Sequence, residues 1–266
     1  PVDTEAVLPE DAALARRWSD EHALDAIVST DGDSDRPLLA DEAGEWLRGD
    51  VLAMLCAREL AMDVVVTPVS SNSVVEKGGF FRRVERTRIG SPFVIKAMNA
   101  ALSQGEERVC GYEANGGFLL GSDLARGDAR LSALPTRDAV LPILAVLTAA
   151  RGGSVRALVD ALPPRVTHSD RIPDFSPERR DALMAWLLGE VGRHERLDDA
   201  FAPLAGAPLA ATDLTDGVRM TFANERVVHL RGSGNAPELR CYAEAEAPQV
   251  ARELARDALG LVAERF

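Results

Sequence analysis

Asp31, Gly32, Asp33, Ser34, Asp35 and Arg36 are the residues whose types and spacing best suit chemistry. Three carboxylates stand at alternate positions, separated by small residues that let the backbone turn tightly. On an extended strand they would share one face, and in a loop they can converge on a point. Anions that close repel one another unless a cation sits among them. Hard oxygen donors select Mg²⁺, Ca²⁺ or Mn²⁺ over zinc. The apolar run through Ala26, Ile27 and Val28 leads in, and Pro37, Leu38, Leu39 and Ala40 lead out. A loop between two buried strands is held rigidly, as a site requires. The spacing of Asp31, Asp33, Asp35 and Glu42 also fits positions 1, 3, 5 and 12 of an EF-hand. Arg36 stands where that motif needs Gly, and β-type runs flank the loop where helices should. The expectation is a divalent-metal site at a strand end, with Mg²⁺ as the ion.

A second constellation is Glu113, Ala114, Asn115, Gly116, Gly117 and Phe118. Paired glycines permit close backbone approach, and Glu113 and Asn115 offer acceptors and donors to a polyhydroxylated ligand. Asn-Gly is also the commonest hairpin signature, and taken by itself the plain turn wins. The third is Arg231, Gly232, Ser233, Gly234, Asn235, Ala236 and Pro237. Two glycines there can turn backbone N–H groups inward as an anion nest. Arg231 adds charge and a bidentate fork, while Ser233 and Asn235 add neutral donors. Phosphate binding is favoured over a flexible turn because so many donors crowd one loop. Residues 70–73, Ser-Ser-Asn-Ser, can cap a helix starting at Val74, and ordinary capping stands at least level with an anion pocket at that N-terminus.

The 266 residues suit two domains or one large one. A net charge of −12 argues against nucleic acid or an anionic membrane as the main partner. No apolar run reaches the length of a membrane span. Lys77 and Lys96 are the only lysines, so nearly all positive charge is arginine. Cys56, Cys110 and Cys241 are widely spaced in apolar runs, as buried thiols in a reducing, cytoplasmic setting would be. His22, His168, His194 and His229 show no metal-ligand spacing.

Periodicity predicts a helix from Pro9 to about Glu21 with Leu14 and Trp18 on its inner face. A strand ending at Thr30, the acidic loop and a hairpin turning at residues 41–44 follow. Strands and helices then alternate through residue 162, the pattern of an α/β layer structure. Val64, Val65, Val66 and Thr67 read as a buried parallel strand. Residues 121–134 read as a polar loop and residues 168–177 as an interdomain linker. The remainder predicts a compact α+β domain of helix, three strands and helix. The fold class expected is therefore mixed-sheet α/β followed by a separate α+β C-terminal domain.

Taken in order, the three loops DGDSDR, YEANGGF and RGSGNAPELRCYAEA resemble those of the α-D-phosphohexomutases, from about Ala23 onward. That family has four domains. A serine in the first carries the phosphoryl group, and an Asp-Gly-Asp-x-Asp-Arg loop in the second holds Mg²⁺. A Gly-Glu-x-Ser-Gly loop in the third contacts sugar hydroxyls, and an Arg-x-Ser-Gly-Thr loop in the fourth grips the other phosphate. The resemblance implies Asp31, Asp33 and Asp35 as metal ligands and Arg36 beside the reacting phosphoryl group. It implies Glu113 and Asn115 at the sugar, and Arg231, Ser233 and Asn235 at the distal phosphate. Asn115 replaces the usual Ser, Gly117 a frequent His, and Asn235 the usual Thr.

By the same resemblance, residues 1–48 would end the metal-binding domain, 49–172 form the sugar-binding domain, and 173–266 the phosphate-binding domain. No Thr-Ala-Ser-His-Asn-type segment occurs, the acidic loop starts at residue 31, and Pro1 is not Met. The expectation is thus a truncated chain, inactive alone, whose partner is its own missing N-terminal domain. The intact protein is expected to be a phosphomannomutase- or phosphoglucomutase-type enzyme acting on a hexose phosphate. The alternatives are a Mg²⁺-dependent sugar phosphatase with Asp31 or Asp33 as nucleophile, and a non-catalytic sugar-phosphate binder.

Overall fold

The computed structural model describes residue 4, residues 7–234 and residues 236–266. The chain divides into two compact units, residues 1–163 and 164–266. The first opens with α1 (Pro9–His22), whose first turn holds the proline where a missing N–H costs nothing. Its buried residues are Ala15 and Ser19, and Trp18 is 42% exposed, so the Leu14–Trp18 face is not the inner one. Small side chains win because the helix backbone lies directly on the turn at residue 44, where Arg16 pairs with Glu45.

Strands β1 (Ile27–Thr30) and β2 (Pro37–Ala40) pair antiparallel with Thr30 opposite Pro37, leaving residues 31–36 as the connecting loop. The return strand expected after β2 shrinks to one bridge between Ala40 and Trp46. There follow α2 (Gly49–Glu59), β3 (Val64–Pro68), α3 (Val74–Lys77), β4 (Arg83–Thr87), α4 (Ser91–Ser103) and β5 (Val109–Tyr112). Strands β6 (Phe118–Leu120), β7 (Leu124–Arg126), β8 (Ala129–Leu131) and β9 (Leu134–Asp138) lead to α5 (Val140–Ala149) and α6 (Val155–Asp160).

The main sheet of this unit has the order β4-β3-β5-β6-β9, parallel among the first three and antiparallel beyond. Val65, Cys110, Tyr112, Phe118 and Leu120 face α2 and α5, and Leu39 of β2 joins the same core. Val64, Val66, Val109 and Leu119 face Val94, Met98 and Ala101 of α4. Burial on both faces explains the unbroken valines of β3. The polar stretch read as a loop contains the β7–β8 hairpin, which turns at residues 127 and 128. Its residues are mostly exposed, so no apolar alternation announced it.

The second unit comprises β10 (Val166–Ile172), α7 (Pro177–Leu188), α8 (Arg193–Ala205), β11 (Leu209–Asp213), β12 (Val218–Phe222), β13 (Val227–Gly232), β14 (Leu239–Ala245) and α9 (Pro248–Arg265). Its antiparallel sheet runs β10-β14-β13-β12-β11. Residues 168–177 are therefore no linker. All seven residues of β10 pair in register with β14, which moves the boundary from residue 172 back to Pro163 and Pro164. Helices α7, α8 and α9 cover one sheet face, where Leu183, Phe201 and Leu254 pack with Leu230, Leu239 and Cys241. The chain is thus mixed α/β with several sheets, as its alternation predicted.

All three cysteines are buried and free, and burial pushes each thiol up, which makes them inert. His229 in β13 is 1% exposed, with Nε2 2.6 Å from the Asp216 carbonyl oxygen and a buried, unpartnered Nδ1. An oxygen acceptor fixes the proton on Nε2. Burial, aided by Arg219 and Arg231, lowers its pKa to about 4 from 6.5, against the opposing pull of Asp216. The neutral ring therefore stabilises the fold fully above pH 6.5, and that contribution is lost as pH falls towards 4. Trp186 is the sole tryptophan of residues 164–266 and packs 6.2 Å from Phe201. Its fluorescence should show this unit losing about 3 kcal/mol across that window, a loss that His229→Gln suppresses.

Candidate functional site

The β1–β2 register draws Asp31 and Arg36 together, and both ends of the loop bond across the gap. Asp31 N–H donates to the Arg36 carbonyl at 3.2 Å, and Arg36 N–H donates to Asp31 Oδ1 at 3.1 Å. Ser34 donates its N–H to the Asp31 carbonyl at 3.2 Å from a backbone with φ of 62°. The result is a closed loop in which one carboxylate oxygen each from Asp31, Asp33 and Asp35 lies within 4.8 Å of the others. Three hard anionic oxygens at that separation suit a small divalent cation. Asp35 Oδ1 is buried and makes no hydrogen bond, so the trio has an unsatisfied acceptor to offer it.

Two arginines answer this charge. Arg36 Nε lies 3.6 Å from Asp31 and 3.7 Å from Asp35, too far for hydrogen bonds, and is itself buried without one. Arg137, from the end of β9, brings Nε to 2.8 Å from Asp35 Oδ2. Nothing in the sequence marked Arg137, since it lies about a hundred residues away and the β9 register alone delivers it.

The 113–117 loop sits beside the acidic loop within the same unit. It joins β5 to β6, with Glu113 7% and Asn115 5% exposed. Gly116 N–H donates to the Glu113 carbonyl at 3.0 Å, and Asn115 Oδ1 accepts Gly117 N–H at 3.0 Å. Asn115 thus spends its oxygen on its own turn. Gly49, opening α2, lies so close to the Asn115 backbone that any Cβ there would overlap it. The next residue, Asp50, is 1% exposed and accepts Asn72 N–H at 2.8 Å and Arg48 Nε at 3.1 Å. The Asn72 backbone therefore braces α2, and Asn72 Oδ1 accepts Val74 N–H, the first of α3, at 2.8 Å.

In the second unit Arg231 ends β13 with Nε 3.2 Å from Asp216 Oδ1. Ser233 is 8% exposed, and its N–H donates to the Glu238 carbonyl at 2.9 Å. That bond spends one of the N–H groups an inward nest would need. Asn235 lies outside the described residues. The register sets Arg171, Arg240 and Arg231 side by side on β10, β14 and β13. Like charges directly opposite destabilise a sheet. Glu238 answers two of them, at 2.9 Å from Arg171 and 3.3 Å from Arg240. Asp216 answers the third, Arg231, so this sheet end carries three arginines and two carboxylates. Arg171 and Arg240 were missed because a segment read as linker supplies no register.

These loops lie within a fold with known relatives. Residues 48–166 match the phosphoglucomutase/phosphomannomutase alpha/beta/alpha domain III. A phosphomannomutase of Salmonella muenchen is 49% identical over 249 residues, covering 94% of this chain and 51% of the relative. One from Sinorhizobium fredii is 45% identical over 264 residues, covering 98% of this chain and 54% of the relative. A putative phosphomannomutase structure from Thermus thermophilus superposes with a TM-score of 0.66 at 22% identity, covering 96% of this chain and 50% of that one. The chain belongs to the α-D-phosphohexomutase superfamily. The curated relatives just described are phosphomannomutases, and the chain spans about half their length. Among the described residues, no helix is long and apolar enough to cross a membrane.

Proposed function

We propose that this chain supplies the cation loop, the sugar-contacting loop and the distal phosphate site of a phosphohexomutase, an isomerase moving a phosphoryl group between C1 and C6 of a hexose phosphate. The single observation carrying this reading is the side-by-side placement of the acidic and 113–117 loops in one compact unit. Asp31, Asp33 and Asp35 would hold Mg²⁺, which when bound neutralises charge on the phosphoryl group. Arg36 lies within the same loop and would orient that group by its fixed fork. Glu113 would accept from sugar hydroxyls and the Asn115 amide would donate to them. Arg231, Ser233 and Asn235, with Arg240 beside them, would hold the phosphate at the other end. Charge and N–H donors read a phosphate without reading ring stereochemistry, which suits a substrate that must bind in two orientations. The phosphoserine of such a transfer would lie in the part of the relatives that this chain does not span.

The test is titration calorimetry of the 266-residue chain with glucose 1-phosphate, with and without Mg²⁺. Binding strengthened by Mg²⁺, with no glucose 6-phosphate formed when glucose 1,6-bisphosphate is added, is the expected result. Rapid isomerisation by these residues alone would overturn the division of labour. Release of inorganic phosphate, abolished by Asp31→Asn, would identify a phosphatase.

A further inference from the structure

Arg137 occupies a place that its own strand does not explain. Its Nε is 2.8 Å from Asp35 Oδ2, and its side chain is 28% exposed. It reaches there across Gly117, where a Cβ would stand 2.7 Å from Arg137 Cδ and 3.0 Å from Cγ. The absence of a side chain at residue 117 is therefore what opens the route from β9 to the acidic loop. The next residue, Asp138, accepts the N–H groups of Val140 and Leu141 at 2.8 and 3.1 Å, which pins the strand end supplying Arg137. Among the described residues Asp35 is its one ionic partner, so the rest of the guanidinium fork is unspent.

A cation paired with one of three converging carboxylates and bordering a sugar-side loop can serve two successive partners. We propose that Arg137 is a placeholder at the acidic loop: it neutralises Asp35 until a divalent cation takes that carboxylate, and then gives its fork to the phosphate of the bound sugar. This rests on the cation-loop reading and adds to it a phosphate-contacting residue and an ordered exchange of partners. Two positive charges cannot share Asp35 cheaply, because their repulsion at contact distance is large even beside solvent. A guanidinium beside a dianion gains charge-assisted, bidentate bonds that a carboxylate one unit poorer cannot match.

The exchange predicts opposite movements in one variant. In Arg137→Ala the 266-residue chain should bind Mn²⁺ about tenfold more tightly, read by electron paramagnetic resonance of the free ion. The same variant, saturated with Mn²⁺, should bind glucose 1-phosphate about tenfold more weakly by calorimetry. Gly117→Ala, which displaces Arg137 without removing it, should move both affinities the same two ways. Arg137→Lys should restore the Mn²⁺ value and only part of the sugar-phosphate value, because a point charge replaces a fork. A variant in which both affinities fall together, or neither moves, overturns the proposal and leaves a merely structural ion pair. Wild-type chain that binds neither probe removes the cation-loop reading, and this proposal with it.

Discussion

Asp33→Asn should weaken Mg²⁺ or Mn²⁺ binding by at least about 100-fold while leaving the fold intact. Asp33 is exposed, and its contribution to the loop is its place in the carboxylate trio. Asp31 differs, because its Oδ1 also accepts Arg36 N–H and so helps close the loop. Asn at residue 33 keeps size and one oxygen but removes a full charge from a site whose affinity depends on ligand charge. Loss of an outer-shell partner alone costs roughly 10- to 100-fold in metal affinity, and a direct ligand should cost more. Calorimetry or Mn²⁺ resonance reads the effect. The melting transition without metal should hold or rise, because one of three mutually repelling anions has gone.

Arg231→Ala should reduce sugar-phosphate affinity roughly 10- to 100-fold, the worth of a charge-assisted bond to phosphate. The loss has a structural companion. Arg231 pairs with Asp216, whose side chain is 10% exposed, and truncation removes that ion pair. A second variant separates the two effects. Arg231→Lys keeps a charge near Asp216 yet cannot grip phosphate with two N–H groups. It should restore the melting transition of residues 164–266 and recover little of the affinity. Full recovery of binding with Lys would mean that the loop reads only charge.

The alternating layer pattern of residues 27–162 was legible because buried strands and amphipathic helices write their periods directly into apolar residues. The acidic loop was legible for a similar reason, since alternate carboxylates in a tight connection converge whatever surrounds them. Strand β10 was not, because an edge strand with Thr167, His168, Ser169, Asp170 and Arg171 exposes too much polar surface to alternate. Its pairing is fixed by β14, more than seventy residues later in the chain, so local pattern could not supply it. Helix α8 was hidden by charged residues and by Pro203 within it. The face of α1 was misjudged because size rather than hydrophobicity decided it: Ala15 and Ser19 admit the turn that Trp18 could not. The side chains that complete the candidate sites, Arg137 and the Arg171–Arg240–Arg231 row, depend on register between distant strands. Residue types alone carry no trace of that.

The decisive measurement is calorimetry of glucose 1,6-bisphosphate with the wild type, Asp33→Asn, Arg231→Ala and the double variant, all in saturating Mg²⁺. Weaker binding in both single variants, and weakest in the double variant, is what the proposed roles of the two loops predict. Binding that either single variant leaves at the wild-type value would contradict it.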